Sequence, residues 1–167
     1  MLDTIWRQWL EAGREPDKSE IRNMPQILEA FGSLNKALRF LRGQKDEKII
    51  EAIRQLRQDD LLVYFTLGLF ERRKPYRHLE SSLQRDIKIF FTDYGSAQLS
   101  AKELLYQISQ PELLDSTCRQ AASDGLGWYI EGKSLQLHSS LVERLPPILR
   151  VYVGCGCLLY TSDAADE

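Results

Sequence analysis

The sequence has few of the residues that build disulfide frameworks or metal centres. Of its 167 residues, three are cysteine and two are histidine. Cys118, Cys155 and Cys157 include no Cys-x-x-Cys pair, and neither His78 nor His138 has neighbours at the spacing of zinc ligands. No apolar run reaches the ~20 residues that cross a bilayer. We therefore expect a reduced, cytoplasmic protein with no bound metal and no membrane segment.

Complete catalytic motifs are also missing. No serine lies in a Gly-x-Ser-x-Gly elbow. Two stretches, FFTDYGSA (90–97) and VYVGCG (151–156), imitate the strand and glycine loop that hold S-adenosylmethionine. Both follow helical patterns, so we expect the first to be a loop capped by Asp93 or Ser96 and the second to be structural. The sequence therefore predicts no catalytic and no cofactor-binding residue in this chain.

Neither positive nor negative charge dominates the whole chain, but the two signs are unevenly distributed along it. The net charge is −2, which provides no global basic field for nucleic acid. Residues 1–91 contain 17 Lys and Arg against 14 Asp and Glu, whereas residues 92–167 contain 5 against 10. A surface for a polyanion is therefore to be sought in the first half.

Helical periodicity is what the sequence has in abundance. Apolar residues recur at helical spacing, and residues suited to helix starts precede them: Pro25, Ser33, Asp46 and Pro111. Ile49, Ile50, Ile53 and Leu56 would form the inner face of one helix. The apolar stretch 59–70 opens on two acids and is followed by Arg72, Arg73 and Lys74, which favours a central buried helix over a buried strand.

One segment departs from this periodicity. WYIEGKSLQLH alternates around Gly132 and predicts a β-hairpin near 128–138. Pro146 and Pro147 should then break and restart the last helix. The expected fold is mainly α, a multi-helix domain with one small β-hairpin near the C-terminus.

The candidate site lies in the basic N-terminal segment. Gly13, Arg14 and Pro16 form a turn, and Phe31, Gly32 and Ser33 lead into a second helix, in an order similar to the helical repeats that accompany homing endonucleases. The cations offered to nucleic-acid phosphates would be Arg14, Lys18, Arg22, Lys36, Arg39 and Arg42. The alternative is a solvated polar face, because five acids dilute this charge: Glu11, Glu15, Asp17, Glu20 and Glu29.

The final residues, CLLYTSDAADE (157–167), do not continue the preceding pattern. They resemble, in order, the translation of a transposon-end adapter used to build sequencing libraries. We expect a non-native tail here and a natural sequence interrupted near Gly156. The predicted organisation is a helix-turn-helix-like unit over 1–45, a helical domain over 46–156, and this tail.

Four stretches of the chain resemble the DNA phosphorothioation-associated methyltransferases. They are GREP…FGSL (13–34), DDLLVYFTLGLFERRKPYRHL (59–79), SLQRDIKIFFTDY (82–94) and LQLHSSLVERLPPILRVYVGC (135–155). These bacterial proteins are encoded beside genes that replace a phosphate oxygen of DNA with sulfur. The family's Asp-Tyr-Gly-Cys-Gly cofactor motif lies upstream of this region and has no counterpart here.

The resemblance implies a parent enzyme that uses S-adenosylmethionine and an upstream methyltransferase domain as partner. This chain would be a non-catalytic helical region, inactive alone, that supports DNA engagement or packs on that domain. Two other interpretations remain open. One is a stand-alone helical module that binds a protein through its acidic C-terminal half, and the other is a methyltransferase with a cryptic site.

Overall fold

The computed structural model describes residues 2–70 and 75–163 of the chain. Within them lie α1 Leu2–Ala12, α2 Met24–Phe31, α3 Leu34–Gln44, α4 Glu47–Leu67, α5 Ser81–Phe90, α6 Tyr94–Gln107, α7 Pro111–Ser123 and α8 Pro147–Asp163. Strands β1 Trp128–Ile130 and β2 Ser134–Gln136 pair antiparallel, with Tyr129 opposite Leu135. Short 3-10 helices occur at Lys18–Glu20, Tyr76–His78 and Ser139–Arg144. The predicted mainly α fold with one hairpin is confirmed.

The chain divides into two compact units, residues 1–58 and residues 59–167, and the division falls inside α4. Unit 1 has its own apolar core, built from α1, α2, α3 and Ile21, which follows the 3-10 helix Lys18–Glu20: Ile5, Trp9, Ile21, Ile27, Leu34, Ala37, Leu38 and Leu41. Burial of these side chains, rather than helix propensity, is what stabilises helices of 8 to 11 residues.

Several helix ends follow from local chemistry that the sequence predicts. Gly13 and Gly32 adopt φ of +66° and +72°, the left-handed conformation that ends α1 and α2. The side chains of Ser33 and Asp93 accept hydrogen bonds from the Lys36 and Ser96 amides at 3.3 and 2.8 Å. The Asp93 cap also holds the pKa of its carboxyl below the ordinary value, because the Ser96 amide stabilises the ionised form.

The expectations for α4 were wrong in two respects. The helix runs unbroken over Glu47–Leu67, whereas two separate helices were expected; the preference for helix over strand is confirmed for residues 59–67. No glycine or proline interrupts residues 47–67, so the paired acids Asp59 and Asp60 continue the helix instead of starting one. Ile49 and Leu56, expected inside, are 50% and 64% exposed. The basic residues 72–74 lie outside the described residues.

Unit 2 packs two apolar clusters. One centres on Phe65, whose ring contacts those of Phe91 and Tyr94 at centroid distances of 5.9 and 6.2 Å. The other joins α6, α7 and α8 through Leu104, Ala121, Leu145, Ile148, Leu149 and Val151. The buried Thr66 hydroxyl donates to the Leu62 carbonyl at 2.7 Å, within its own helix. The central burial predicted for this part of α4 holds for Leu61, Val63, Phe65 and Thr66, while Tyr64 is 56% exposed.

Both stretches that imitate a cofactor motif have structural roles. Residues 90–97 span the end of α5, the turn at 91–93 and the first residues of α6, which Asp93 caps as one of the two expected caps. Residues 151–156 lie inside α8. A Cβ added at Gly154 would come within 2.8 Å of the Leu67 Cδ2 atom, so this glycine permits close packing of α8 on the end of α4.

Candidate nucleic-acid interface

Helix α2, a two-residue turn and α3 lie in the segment for which a helix-turn-helix-like unit was predicted. The Gly32 amide donates to the Leu28 carbonyl at 2.8 Å and closes α2. Ser33 then returns to extended backbone, with φ −162° and ψ 155°, and caps α3. The turn is short because a left-handed glycine followed by an extended capping residue reverses the chain in two positions.

The orientation of α3 is set by its apolar residues. Leu34, Ala37, Leu38 and Leu41 are buried in the unit 1 core, at the i, i+3, i+4, i+7 spacing of one helix face. The opposite face is therefore directed to solvent. Asn35, Lys36, Arg39 and Phe40 lie on it and are exposed.

Lys36 and Arg39 are the two cations that the structure places together. They are three residues apart on α3, so their side chains leave neighbouring positions of the same face. Within the described part of the chain neither has an ion-pair or hydrogen-bond partner for its side chain. A Cβ built at Gly32 would lie 3.8 Å from the Lys36 Nζ atom, so this ammonium group lies beside the turn that begins α3.

Arg14 does not belong to this exposed surface. Its side chain is only 5% exposed, and its two terminal nitrogens donate to the two Glu20 carboxylate oxygens, each at 2.8 Å. Glu20 also accepts from the Asp17 amide at 2.7 Å, within the capping box of the 3-10 helix Lys18–Glu20. Arg14 therefore holds a turn together, because its buried bidentate ion pair directs both terminal nitrogens at the Glu20 carboxylate rather than at a ligand.

Arg42 is exposed but also engaged. Its Nη2 atom donates to the Glu15 carboxylate at 2.5 Å. The guanidinium carbon lies 5.8 Å from the Trp9 ring centroid, within the range of a cation–π contact. Arg42 follows Arg39 by one turn on α3, and its charge is partly neutralised by an acid that the sequence interpretation counted only as diluting.

Lys18 and Arg22 lie in the segment that leads to α2. Lys18 opens the 3-10 helix Lys18–Glu20 and Arg22 follows it, and both side chains are exposed. No described contact joins either of them to Lys36 or Arg39. They add positive charge to unit 1, but they do not lie on the α3 face that carries Lys36 and Arg39.

The chemistry that this face can perform is electrostatic. The first amides of α3 have no acceptor within the helix, and a helix N-terminus with two adjacent cations attracts anionic oxygen atoms. Among residues 2–70 and 75–163, no three His, Cys, Asp or Glu side chains are grouped so that they could hold a metal ion. In the same residues no helix is both long and apolar enough to cross a membrane.

Comparison of the chain with protein-family models, with curated proteins and with solved structures found no match in any of the three.

The sequence interpretation missed which acids bind which cations. Glu20 lies six residues after Arg14, and Glu15 lies 27 residues before Arg42. Neither spacing belongs to a helix or strand rule. Only the Arg14–Glu20 pair could have been anticipated from a local pattern. The capping box formed by Asp17 and Glu20 holds the Glu20 side chain at the turn that follows Arg14.

Proposed function

We propose that the exposed face of α2, the Gly32-Ser33 turn and α3 binds the phosphates of duplex DNA. The observation that carries the proposal is that Lys36 and Arg39 lie side by side on one exposed helix face. Both are exposed, and within the described residues neither side chain has an ion-pair or hydrogen-bond partner. Both lie in the N-terminal part of α3, which Ser33 caps. Cations without internal partners cost little to transfer from water to phosphate oxygens, and they release counterions on binding.

The expected binding is weak and independent of sequence. Phosphate contacts position a protein but do not read bases, and the described geometry supports two cations rather than a set of base-reading side chains. Unit 2 is acidic and adds no attraction to DNA. We expect dissociation constants in the non-specific range, ~10⁻⁴ to 10⁻⁶ M.

In this proposal the chain is a cytoplasmic, non-catalytic helical region that helps a phosphorothioation-associated methyltransferase to engage DNA. The support for that context is the sequence resemblance, and the support for DNA engagement is the α3 face. S-adenosylmethionine would be bound by the upstream domain of the parent enzyme. No residue of this chain is assigned to it.

The test is the double variant Lys36→Ala with Arg39→Ala, measured by fluorescence anisotropy of a labelled duplex. Titrations between about 50 and 200 mM salt give the slope of log affinity against log salt. Each phosphate contact contributes about −0.9, so the variant should flatten the slope by about two units and weaken binding on all duplex sequences alike.

A charge-matched control separates contact from net charge. Arg7 on α1 and Lys48 on α4 are also exposed. Arg7→Ala with Lys48→Ala removes the same charge but leaves the α3 face intact, so its slope should stay within about half a unit of wild type.

Equal slopes for wild type and the α3 variant would refute DNA binding by this face and favour the protein-interaction module. Equal losses in both double variants would show a non-localised charge effect and also refute it. A duplex with phosphorothioate linkages, measured alongside, should bind with similar affinity because the linkage keeps its negative charge.

A further inference from the structure

A cavity of about 840 Å³ lies in unit 2, bordered by α7, the β-hairpin and α8. Its volume falls within the ~300–1,000 Å³ range of small-molecule sites. The proposed DNA face lies on unit 1 and shares no residue with it. The cavity is therefore a second candidate site, independent of the first.

The surface of the lining is mainly apolar. Six side chains from α7, the hairpin and its following segment, and α8 contribute to it: Leu114, Leu135, Leu137, Leu145, Leu149 and Val153. The Cys118 thiol also lines the cavity. Among the described residues, the aromatic rings in the lining are those of Tyr129 and Tyr152, so the site offers an aliphatic ligand more contact than a stacked aromatic one.

One wall of the cavity is held by a polar network. The Tyr129 hydroxyl donates to the Asp115 carboxylate, and the Arg119 Nη2 atom donates to the same carboxylate at 2.9 Å. The Gly132 amide donates to the Tyr129 hydroxyl at 3.3 Å. These bonds tie the hairpin to α7, so the cavity is largely formed before any ligand enters.

The charges that face the cavity cancel. Asp115 is already compensated by Arg119 and Tyr129. Glu112 and Lys133 also line the cavity, and within the described residues neither has an ion-pair partner. One free anion and one free cation leave no net charge to attract a charged ligand, whereas the Ser134 and Tyr152 hydroxyls can exchange hydrogen bonds with a neutral polar group.

We propose that this cavity binds an uncharged aliphatic amphiphile, a molecule with a hydrocarbon chain and a hydroxyl-type head. The chain lies against the leucines and Val153. The head lies at the hairpin end, where Lys133, Ser134 and Tyr152 supply hydrogen-bonding groups.

The reactivity of the Cys118 thiol measures whether the cavity is occupied, because Cys118 lines it. In the full chain carrying Cys155→Ala and Cys157→Ser, Cys118 is the one cysteine left. We expect 1-decanol to slow modification of Cys118 by a thiol reagent in a saturable manner. Decanoate and decylamine have the same chain length, and we expect their protection to require about tenfold higher concentration, because a charged head loses hydration on entry and gains no net attraction from a lining whose charges cancel.

Two exposed apolar helix residues provide matched variants. Val153 lines the cavity and is 36% exposed, whereas Leu99 on α6 is 59% exposed and does not line it. Val153→Glu should abolish protection by 1-decanol, and Leu99→Glu should leave it unchanged. Far-UV circular dichroism and thermal unfolding verify that both variants are folded.

Lys133→Glu tests the charge argument without touching the apolar lining. Lys133 is exposed in the hairpin turn, and the change leaves two uncompensated acids at the cavity. Decylamine should then protect Cys118 better than 1-decanol does. The proposal is overturned if 1-decanol gives no saturable protection, if Val153→Glu binds like wild type, or if decanoate or decylamine protects the unaltered cavity as well as the alcohol.

Discussion

Gly13 provides the sharpest test of the packing in unit 1. It ends α1 at φ +66°, and its amide donates to the Trp9 carbonyl at 2.8 Å. A Cβ at this position would lie 2.3 Å from the Arg57 Cβ atom and 3.2 Å from the Ile53 carbonyl oxygen. Ordinary contacts between carbon atoms are about 3.5–4.0 Å, so Gly13→Ala requires α4 or the end of α1 to move by about 1 Å or more.

Two costs add in this variant. A non-glycine residue in the left-handed region costs about 1–2 kcal/mol. Overpacking of a close contact costs about 1–3 kcal/mol. We therefore expect Gly13→Ala to lower the free energy of unfolding of unit 1 by about 2–5 kcal/mol.

Gly43 is the matched control. It lies within α3, and a Cβ there would meet no atom within 4 Å. Gly43→Ala should raise the free energy of unfolding by about 0.5–1 kcal/mol, because alanine loses less backbone entropy in a helix.

The assay is urea unfolding followed by tryptophan fluorescence in a Trp128→Phe background. Trp128 is 73% exposed on the hairpin, and its removal leaves Trp6 and Trp9, which report on unit 1 alone. A Gly13→Ala effect below about 0.5 kcal/mol would refute the close approach of α1 and α4, since surface substitutions commonly fall within that range. Equal destabilisation by Gly13→Ala and Gly43→Ala would refute the claim that only the first position is sterically closed.

Further predictions concern unit 2. Gly154→Ala should destabilise by about 1–3 kcal/mol through contact with the Leu67 side chain, while Gly156→Ala, with no atom within 4 Å of its added Cβ, should not; urea unfolding of the two variants compares them directly. The Tyr129 hydrogen bond and then Arg119 lower the pKa of Asp115, so its contribution to stability is present at neutral pH and is lost as the pH falls through the folded-state pKa. Asp115→Asn should therefore be less stable than wild type at pH 7, and the difference should shrink on acidification in parallel urea titrations; a difference independent of pH would contradict the assigned bond.

Short-range signals account for most of what could be predicted. A helix ends where a residue favours the left-handed conformation and begins where a side chain accepts an amide bond a few residues ahead. Gly32, Ser33 and Asp93 act in this way, and each depends on atoms within a few residues of itself. The alternation on both sides of Gly132 likewise predicts the hairpin, because two adjacent strands need only a tight turn to pair.

The same local signals could not show which of the six basic residues are available to bind phosphate. All six are cations in a helical, polar segment, and the sequence offers no reason to separate them. Burial separates Arg14, whose partner Glu20 becomes adjacent only when the chain turns after α1. Arg42 meets Glu15 across 27 residues. Lys36 and Arg39 remain because the core residues of α3 direct them away from the protein.

Apart from the bounds and inner face of α4, the sequence by itself therefore determined the helices, several of their caps, the hairpin and the half of the chain that is basic, because each depends on bonds or charges counted over a few residues. Tertiary packing decided which cations stay free, why Gly154 must be small beside Leu67, and that side chains from α7, the hairpin and α8 line a cavity. These features join residues far apart in the chain, and their distances depend on how the helices pack rather than on any spacing in the sequence.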